Sequence, residues 1–249
     1  MKNRIKDLLG LVTYFFTINC IKTKDVKYNS ILIFAPHPDD EIIGLGGLII
    51  QTLKYGGNVF ICFLTDGENS DSHNDKDEIK KQRAALTNNV LKQLGIPVKN
   101  IFKLHFSDGK VPLKNDADFN KVVSQIKEII EEVSPEAVFT TAESDYWPYD
   151  HVACSQLIKE VVKSATLKTD LWFYWVWTWY HLKPWQILKL HYKNKYKIDI
   201  SKELKQKQKL MDMYLNPLSP DGIPWSGVLP KSMKYPFSKP FEIIEKEDE

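Results

Sequence analysis

Between residues 30 and 180 the chain alternates short apolar runs with stretches whose apolar residues recur every three or four positions. Residues 31–36 (ILIFAP) read as a strand, 41–55 as a helix and 58–65 (NVFICFLT) as a second strand. The spacing over 75–94 predicts a helix closed by Gly95, with Pro97 beyond it. Residues 100–106 (NIFKLHF) read as a short strand. The clearest helix follows, with Phe119, Val122, Val123, Ile126, Ile129, Ile130 and Val133 on one face and Pro135 after it. Residues 136–142 (EAVFTTA) read as a strand, Val152 to Val162 again fall at helical spacing, and 171–180 (LWFYWVWTWY) is expected to close the series as a strand. Alternation of this kind predicts an α/β fold: a Rossmann-like, mostly parallel sheet with helices on both faces.

Outside that block the pattern changes. Residues 200–215 read as an amphipathic helix whose lysines at 202–209 suit a solvated face, with a membrane surface or an anionic substrate as the alternative. Residues 216–241 carry six prolines and read as an extended covering segment, a candidate lid, followed by an acidic end expected to fray. The first twenty residues have a basic start and then an apolar stretch too short to span a bilayer. They are expected to form a helix packed on the domain or lying on a membrane surface. Export or lipid anchoring is the alternative, although the small-x-small cleavage pattern is missing and Asn19 is a poor residue before a lipidated Cys20. The expected organisation is therefore an N-terminal segment (1–28), an α/β domain (29–200) and a helix with a proline-rich tail (201–249) belonging to the same domain.

Composition adds limits. A chain of 249 residues with 43% hydrophobic residues can bury a full core. Lys plus Arg (34) nearly balances Asp plus Glu (32), which gives no reason to expect a nucleic-acid partner. Cys20, Cys62 and Cys154 are few, far apart and odd in number, so neither a disulfide framework nor a thiolate metal site is indicated; a reduced, cytoplasmic location fits, with membrane association through the N-terminus left open. Cys62 and Cys154 are expected as buried packing residues.

The candidate chemistry lies in FAPHPDDEIIGLGG (34–47), where charge is concentrated directly after a buried strand. Ligands of open parallel sheets bind at the carboxyl ends of strands, and ESDYWPYDH (143–151) occupies an equivalent end. His37, Asp39, Asp40, Asp150 and His151 are thus expected to be neighbours. His37 and Asp40, three apart, together with His151, would make a two-imidazole, one-carboxylate set of the kind that binds catalytic zinc, and iron(II) suits it too. Asp39 would then face the water as general base. The same residues also suit an ordinary helix start, with an aspartate cap and Glu41 in the first turn; spacing alone leaves both readings open. The glycines of GLGG fall inside the helix and are expected to allow close helix–sheet packing. Within the aromatic run, Trp179, Tyr180 and His181 are the residues expected to reach the site, with Trp225 a further stacking candidate if the tail folds over it.

APHPDDEIIGLGG resembles the signature of the PIG-L/LmbE family of zinc-dependent deacetylases of N-acetylated amino sugars. The resemblance runs on through FLTDGE (63–68), Arg83, SDGKV (107–111) and DHVA (150–153), about residues 30–165. It implies that His37, Asp40 and His151 hold the metal, that Asp39 is the base, and that Arg83 and Asp108 contact the sugar. Arg83 as a surface residue and Asp108 as a turn residue before Gly109 are the bland alternatives. Tyr146 corresponds to a tyrosine that polarises the acyl carbonyl in some members. The expected substrate is an N-acetylated amino sugar or its conjugate, a related sugar–thiol amidase or a sugar-binding protein with weak turnover being the alternatives. One departure stands out: Pro148 occupies a position where many members carry a second histidine; Tyr146 could partly substitute for it, or His105 or His181 could supply the missing group. The carrier of the sugar and the oligomeric state are not written in these motifs.

Overall fold

The computed structural model describes residues 12–164, 168–181, 184–187, 189 and 192–247. Its strands are β1 (Lys22–Thr23), β2 (Ser30–Ala35), β3 (Asn58–Thr65), β4 (Ile101–Phe106), β5 (Ala137–Thr141), β6 (Asp170–Tyr174), β7 (Lys195–Asp199) and β8 (Phe241–Glu245). They form one sheet in the order β1-β7-β8-β6-β5-β2-β3-β4, in which only β8 runs against its neighbours. The helices are α1 (12–20), α2 (Asp40–Lys54), α3 (Lys76–Leu94), α4 (Phe119–Val133), α5 (Tyr149–Ser164), the single turns α6 (Thr178–His181) and α7 (Pro184–Ile187), α8 (Leu204–Leu215) and α9 (Lys231–Phe237).

The alternation expected from the sequence is the alternation observed. β2 is buried on both faces, which is why its apolar run shows no period of two. Ile31, Ile33 and Ala35 join the core under α2 and α8, while Leu32 and Phe34 join the core formed with α4 and α5. The helix expected over 75–94 ends at Gly95 in a left-handed conformation, and Asp75 caps its start through the amides of Asp77 and Glu78. Within α2, a Cβ on Gly44 would collide with the Tyr174 ring and one on Gly47 with Ile200. The glycines of GLGG therefore let this helix sit close against the sheet and its flanks. Cys62 and Cys154 are buried and unpaired, as expected.

Three expectations need correction. The aromatic strand stops at Tyr174, because the Asp145 carboxylate takes the backbone amides of Val176 (2.8 Å) and Thr178 (2.6 Å) and the Thr178 hydroxyl, turning the chain out of the ladder into α6. The acidic C-terminal stretch is β8, an internal strand, rather than a frayed end; residues 248–249 lie outside the described part. Its acids are paired: Glu242 with Lys207 at 2.7 Å and Glu245 with Lys195 at 3.0 Å. That same contact removes Lys207 from the solvated face proposed for α8, since it is fully buried. α1 packs through Tyr14 and Ile18 on Trp175, Trp179, Tyr235 and Ile243. No helix among the described residues is long and apolar enough to cross a membrane; residues 1–11 lie outside the described part.

The topology creates the site. From β2 the chain proceeds outward to β3 and β4, then returns to the other side of β2 for β5. The loops after β2 and β5 diverge from that reversal and leave a crevice between them.

Candidate active site

The loop after β2 is tied down before it reaches α2. The Pro36 carbonyl accepts from both the amide and the hydroxyl of Thr65, at 3.0 and 2.9 Å. Asp39 then takes a left-handed conformation (φ 117°), rare for a residue with a side chain. Two interactions hold it: its amide donates to Glu41 Oε2 at 2.9 Å, and Glu41 Oε1 accepts from the Tyr214 hydroxyl at 2.8 Å. Burial pushes the Glu41 carboxyl up to about 8. The turn at Asp39 is therefore buttressed from α8, a contact with no local signal in the sequence.

His37, Asp40 and His151 come together as expected. Asp40 Oδ2 lies 3.2 Å from His37 Nδ1 and 3.2 Å from His151 Nε2, and the two rings are 5.4 Å apart. The far nitrogens each meet carboxylates. His37 Nε2 is 3.2 Å from Asp108 and 3.3 Å from Asp150, and His151 Nδ1 is 3.3 Å from Asp145. Such outer carboxylates fix the tautomer and leave the inner nitrogens as donors to a cation. His151 Nε2 is buried and has no hydrogen-bond partner despite its nearness to Asp40. A buried nitrogen without a bond, facing a carboxylate and a second imidazole, fits a metal ligand better than a structural histidine. The residues present thus suit a divalent cation.

The charges agree. Burial opposes protonation of His151, but the Asp40 charge and the Asp145 contact outweigh it and raise its pKa to about 9. His37 is raised likewise, its burial outweighed by Asp108, Asp150 and Asp40. Burial would raise Asp40, yet His151 and His37 hold it well below the usual carboxylate range. Protons on the imidazoles therefore balance the carboxylates where a cation would otherwise do so. Metal binding must displace those protons, so its apparent affinity is expected to rise with pH up to about 9. Asp145→Asn is expected to weaken that affinity about 10- to 100-fold; competition with a chromophoric chelator across pH measures both effects.

The cleft above this set has a volume of about 400 Å³. Arg83 and Asp108, the two residues expected to contact a sugar, both line it. Arg83 is buried rather than a surface arginine: Nη2 donates to the Pro38 carbonyl at 2.5 Å and lies 3.4 Å from Asp39 Oδ2, while Nε has no partner. Gly67 makes room for it, since a Cβ there would overlap the guanidinium. Asp108 accepts from the Asn69 amide at 2.9 Å, and His37 holds its carboxyl down to about 2 against the effect of burial. Asp150 accepts from the amides of Gly109 (2.6 Å) and Val111 (3.0 Å), fastening this loop to the histidine pair.

Other expectations are not met. Trp179 lies in the α1 cluster, 5.5 Å from Tyr14, and Trp177 lines the cleft instead. Asp145 explains the exchange, because it grips the amides on either side of Trp177. Tyr146 is half-exposed and absent from the cleft wall; the tyrosine found there is Tyr149. His181 sits at the end of α6, and its side chain lies outside the described part. His105 is exposed and paired with Asp66 at 2.9 Å, away from the cleft. Among the described residues, no imidazole replaces the one that Pro148 displaces. The proline-rich tail does cover the site, but through Ser226 to Leu229 and Met233; the Trp225 carbonyl anchors it by accepting from Ser70 Oγ at 2.7 Å.

A family model described as GlcNAc-PI de-N-acetylase, PIG-L, matches residues 32–162, just over half the chain and the segment that carries all three converging side chains. The chain belongs to the PIG-L family. Among curated relatives, this PIG-L member is similar to the diacetylchitobiose deacetylase of Thermococcus kodakarensis, 32% identical over 129 residues. The match covers 51% of this chain and 44% of that protein, so it spans less than half the relative's length. Its fold is similar to that of N,N'-diacetylchitobiose deacetylase from Pyrococcus horikoshii, with TM-score 0.59 and 21% identity over 75% of this chain and 69% of that one. It is equally similar to a 4-carboxy-2-hydroxymuconate hydratase from Pseudomonas putida, with TM-score 0.58 and 18% identity over 74% and 78%. A fold shared by a deacetylase and a hydratase leaves the activity of this PIG-L chain to be argued from its site.

Proposed function

We propose that this chain is a metal-dependent hydrolase that removes the N-acetyl group from an N-acetylated amino sugar or its conjugate. The observation that carries this reading is the meeting of His37, Asp40 and His151 at one point, with Asp39 beside it on the floor of a cleft. A bound zinc or iron(II) ion would supply Lewis acidity towards the acyl oxygen and make water nucleophilic near neutral pH.

The remaining work falls to the chain. Asp39 accepts a proton from the attacking water at its carboxylate and returns it to the departing nitrogen, so acetate and a free amine leave. Arg83, 3.4 Å from Asp39 Oδ2, steadies that carboxylate. Asp108, held by the Asn69 amide, accepts from a sugar hydroxyl. Pro148 supplies neither a proton nor an oxyanion donor; the loss of one such donor typically costs about 2.7–4 kcal/mol in the transition state. Slow turnover is therefore expected.

Acetate release from N-acetylglucosamine and N,N'-diacetylchitobiose, before and after chelation and zinc restoration, tests the reading. Release is expected to stop on chelation and to return with metal. Tight sugar binding with no acetate from zinc-loaded protein would favour a binding protein, the reading that Pro148 recommends. Full release by metal-stripped protein would remove the metal from the account.

A further inference from the structure

Two neighbouring residues of the proline-rich tail, Trp225 and Ser226, are tied to the turn at Asp39 by separate routes. Ser226 Oγ donates to the Tyr214 carbonyl at 3.0 Å. The Tyr214 hydroxyl donates to Glu41 Oε1 at 2.8 Å, and Glu41 Oε2 accepts from the Asp39 amide at 2.9 Å. On the other route the Trp225 carbonyl accepts from Ser70 Oγ at 2.7 Å and from Arg83 Nη1 at 3.4 Å. Arg83 in turn donates through Nη2 to the Pro38 carbonyl and lies 3.4 Å from Asp39 Oδ2. Thr87 joins the routes, since it hydrogen-bonds the Tyr214 hydroxyl and donates to the Arg83 carbonyl at 2.8 Å. One route ends on the amide of Asp39, the other on its carboxylate.

Asp39 needs such support. Its φ of 117° with ψ −29° is a conformation that a residue with a side chain keeps only where its surroundings over-determine it. Its carbonyl is held by α2, accepting from the amides of Ile42 (3.1 Å) and Ile43 (2.9 Å). The amide and the carboxylate remain to be fixed, and both lead back to the tail. The tail itself is closely seated: Gly227, at φ 79°, lies so near Ser70 that a Cβ would stand 3.0 Å from the Ser70 carbonyl oxygen. Tyr214, Trp225 and Ser226 all lie beyond residues 32–162, the segment that matches the family model.

We propose that the C-terminal tail is a positioning element for the base: Tyr214 and Ser226 act through Glu41 to hold Asp39 in the conformation that keeps its carboxylate on the floor of the cleft. The proposal rests on reading Asp39 as the general base of deacetylation. Tyr214 is buried and does not line the cleft, so it acts on turnover only through that turn. Proton transfer from the attacking water is sensitive to small displacements of the base, which makes the rate the quantity to read.

Tyr214→Phe and Ser226→Ala each remove one hydroxyl and little else. In the zinc-loaded full chain, with N,N'-diacetylchitobiose as substrate, Tyr214→Phe is expected to lower kcat about tenfold and Ser226→Ala about threefold, with KM and zinc content kept. In the Asp39→Asn background, Tyr214→Phe is expected to change the residual rate by less than about twofold, because the group it positions no longer acts. Hydrogen exchange followed by NMR reads the turn without turnover: the Asp39 amide is expected to exchange about tenfold faster in Tyr214→Phe than in wild type. An unchanged kcat or an unchanged exchange rate in Tyr214→Phe overturns the proposal. So does a loss of rate that persists in the Asp39→Asn background, or one that only follows lost zinc; either makes the hydroxyl part of the general framework. If Tyr214→Phe does not fold, Ser226→Ala carries the same comparisons. No acetate from wild-type protein, or a wild-type rate in Asp39→Asn, would instead refute the reading of Asp39 as base, and exchange would still decide whether the tail holds the turn.

Discussion

Asp39→Asn is expected to lower kcat for acetate release by about a thousandfold while leaving the bound metal unchanged. Asparagine keeps the shape of the side chain and can adopt the left-handed backbone found there, but it cannot accept a proton from water. The environment of Asp39 supports the role. Burial pushes its carboxyl up to about 7, with Arg83 pulling the other way, which puts the group close to the pH at which a general base works best. The sign of the pH dependence follows: the base acts only when deprotonated, so activity rises with pH through its pKa. A bound cation would add attraction for the carboxylate, so this acid limb lies below 7 in the metal-loaded protein and is absent from Asp39→Asn. Kinetics over pH with parallel elemental analysis measure both features. An unchanged rate ends the proposed role of Asp39; loss of metal together with activity would make the residue a part of the site's framework instead.

The second large effect concerns stability. Lys207→Met is expected to cost about 3–5 kcal/mol, because it leaves a buried carboxylate without its countercharge. Lys207 Nζ bonds Glu242 Oε1 and the Ile43 carbonyl, each at 2.7 Å. Glu242 in turn accepts from the amides of Gly47 (2.6 Å) and Leu48 (2.9 Å). The pair therefore fastens α8 and β8 to the middle of α2, one to two turns beyond Asp40. Removing both charges in Lys207→Met/Glu242→Gln should recover part of the loss. Urea unfolding of the two proteins measures this; a cost below about 1 kcal/mol for the single variant would show that the pair is not closed off from water.

Much of the site was legible because its signals are local. A histidine three residues before an aspartate, at the end of an apolar strand, is a pattern contained within one loop. Pairing it with His151 needed only the rule that such loops share one edge of a parallel sheet. Groups that act across the chain carry no such local signal. Asp145 lies six residues before His151 and looks like any loop acid, yet it both orients that ring and decides that Trp177 rather than Trp179 faces the cleft. Tyr214 reads as one more apolar position of an amphipathic helix, yet its hydroxyl supports the turn at Asp39 through Glu41.

Local sequence specifies the strands and helices from β2 to α5, the close seat of α2 through its glycines, and the metal-suited triad with its adjacent carboxylate. Each depends on interactions within a few residues, which periodicity, capping and motif spacing record. Long-range packing makes the acidic C-terminal stretch an internal strand, buries Lys207, and selects which aromatic residues wall the cleft. In each case a charged group changes its environment because a partner from a distant segment meets it, and the free energy of that meeting is not encoded in the neighbourhood of either residue.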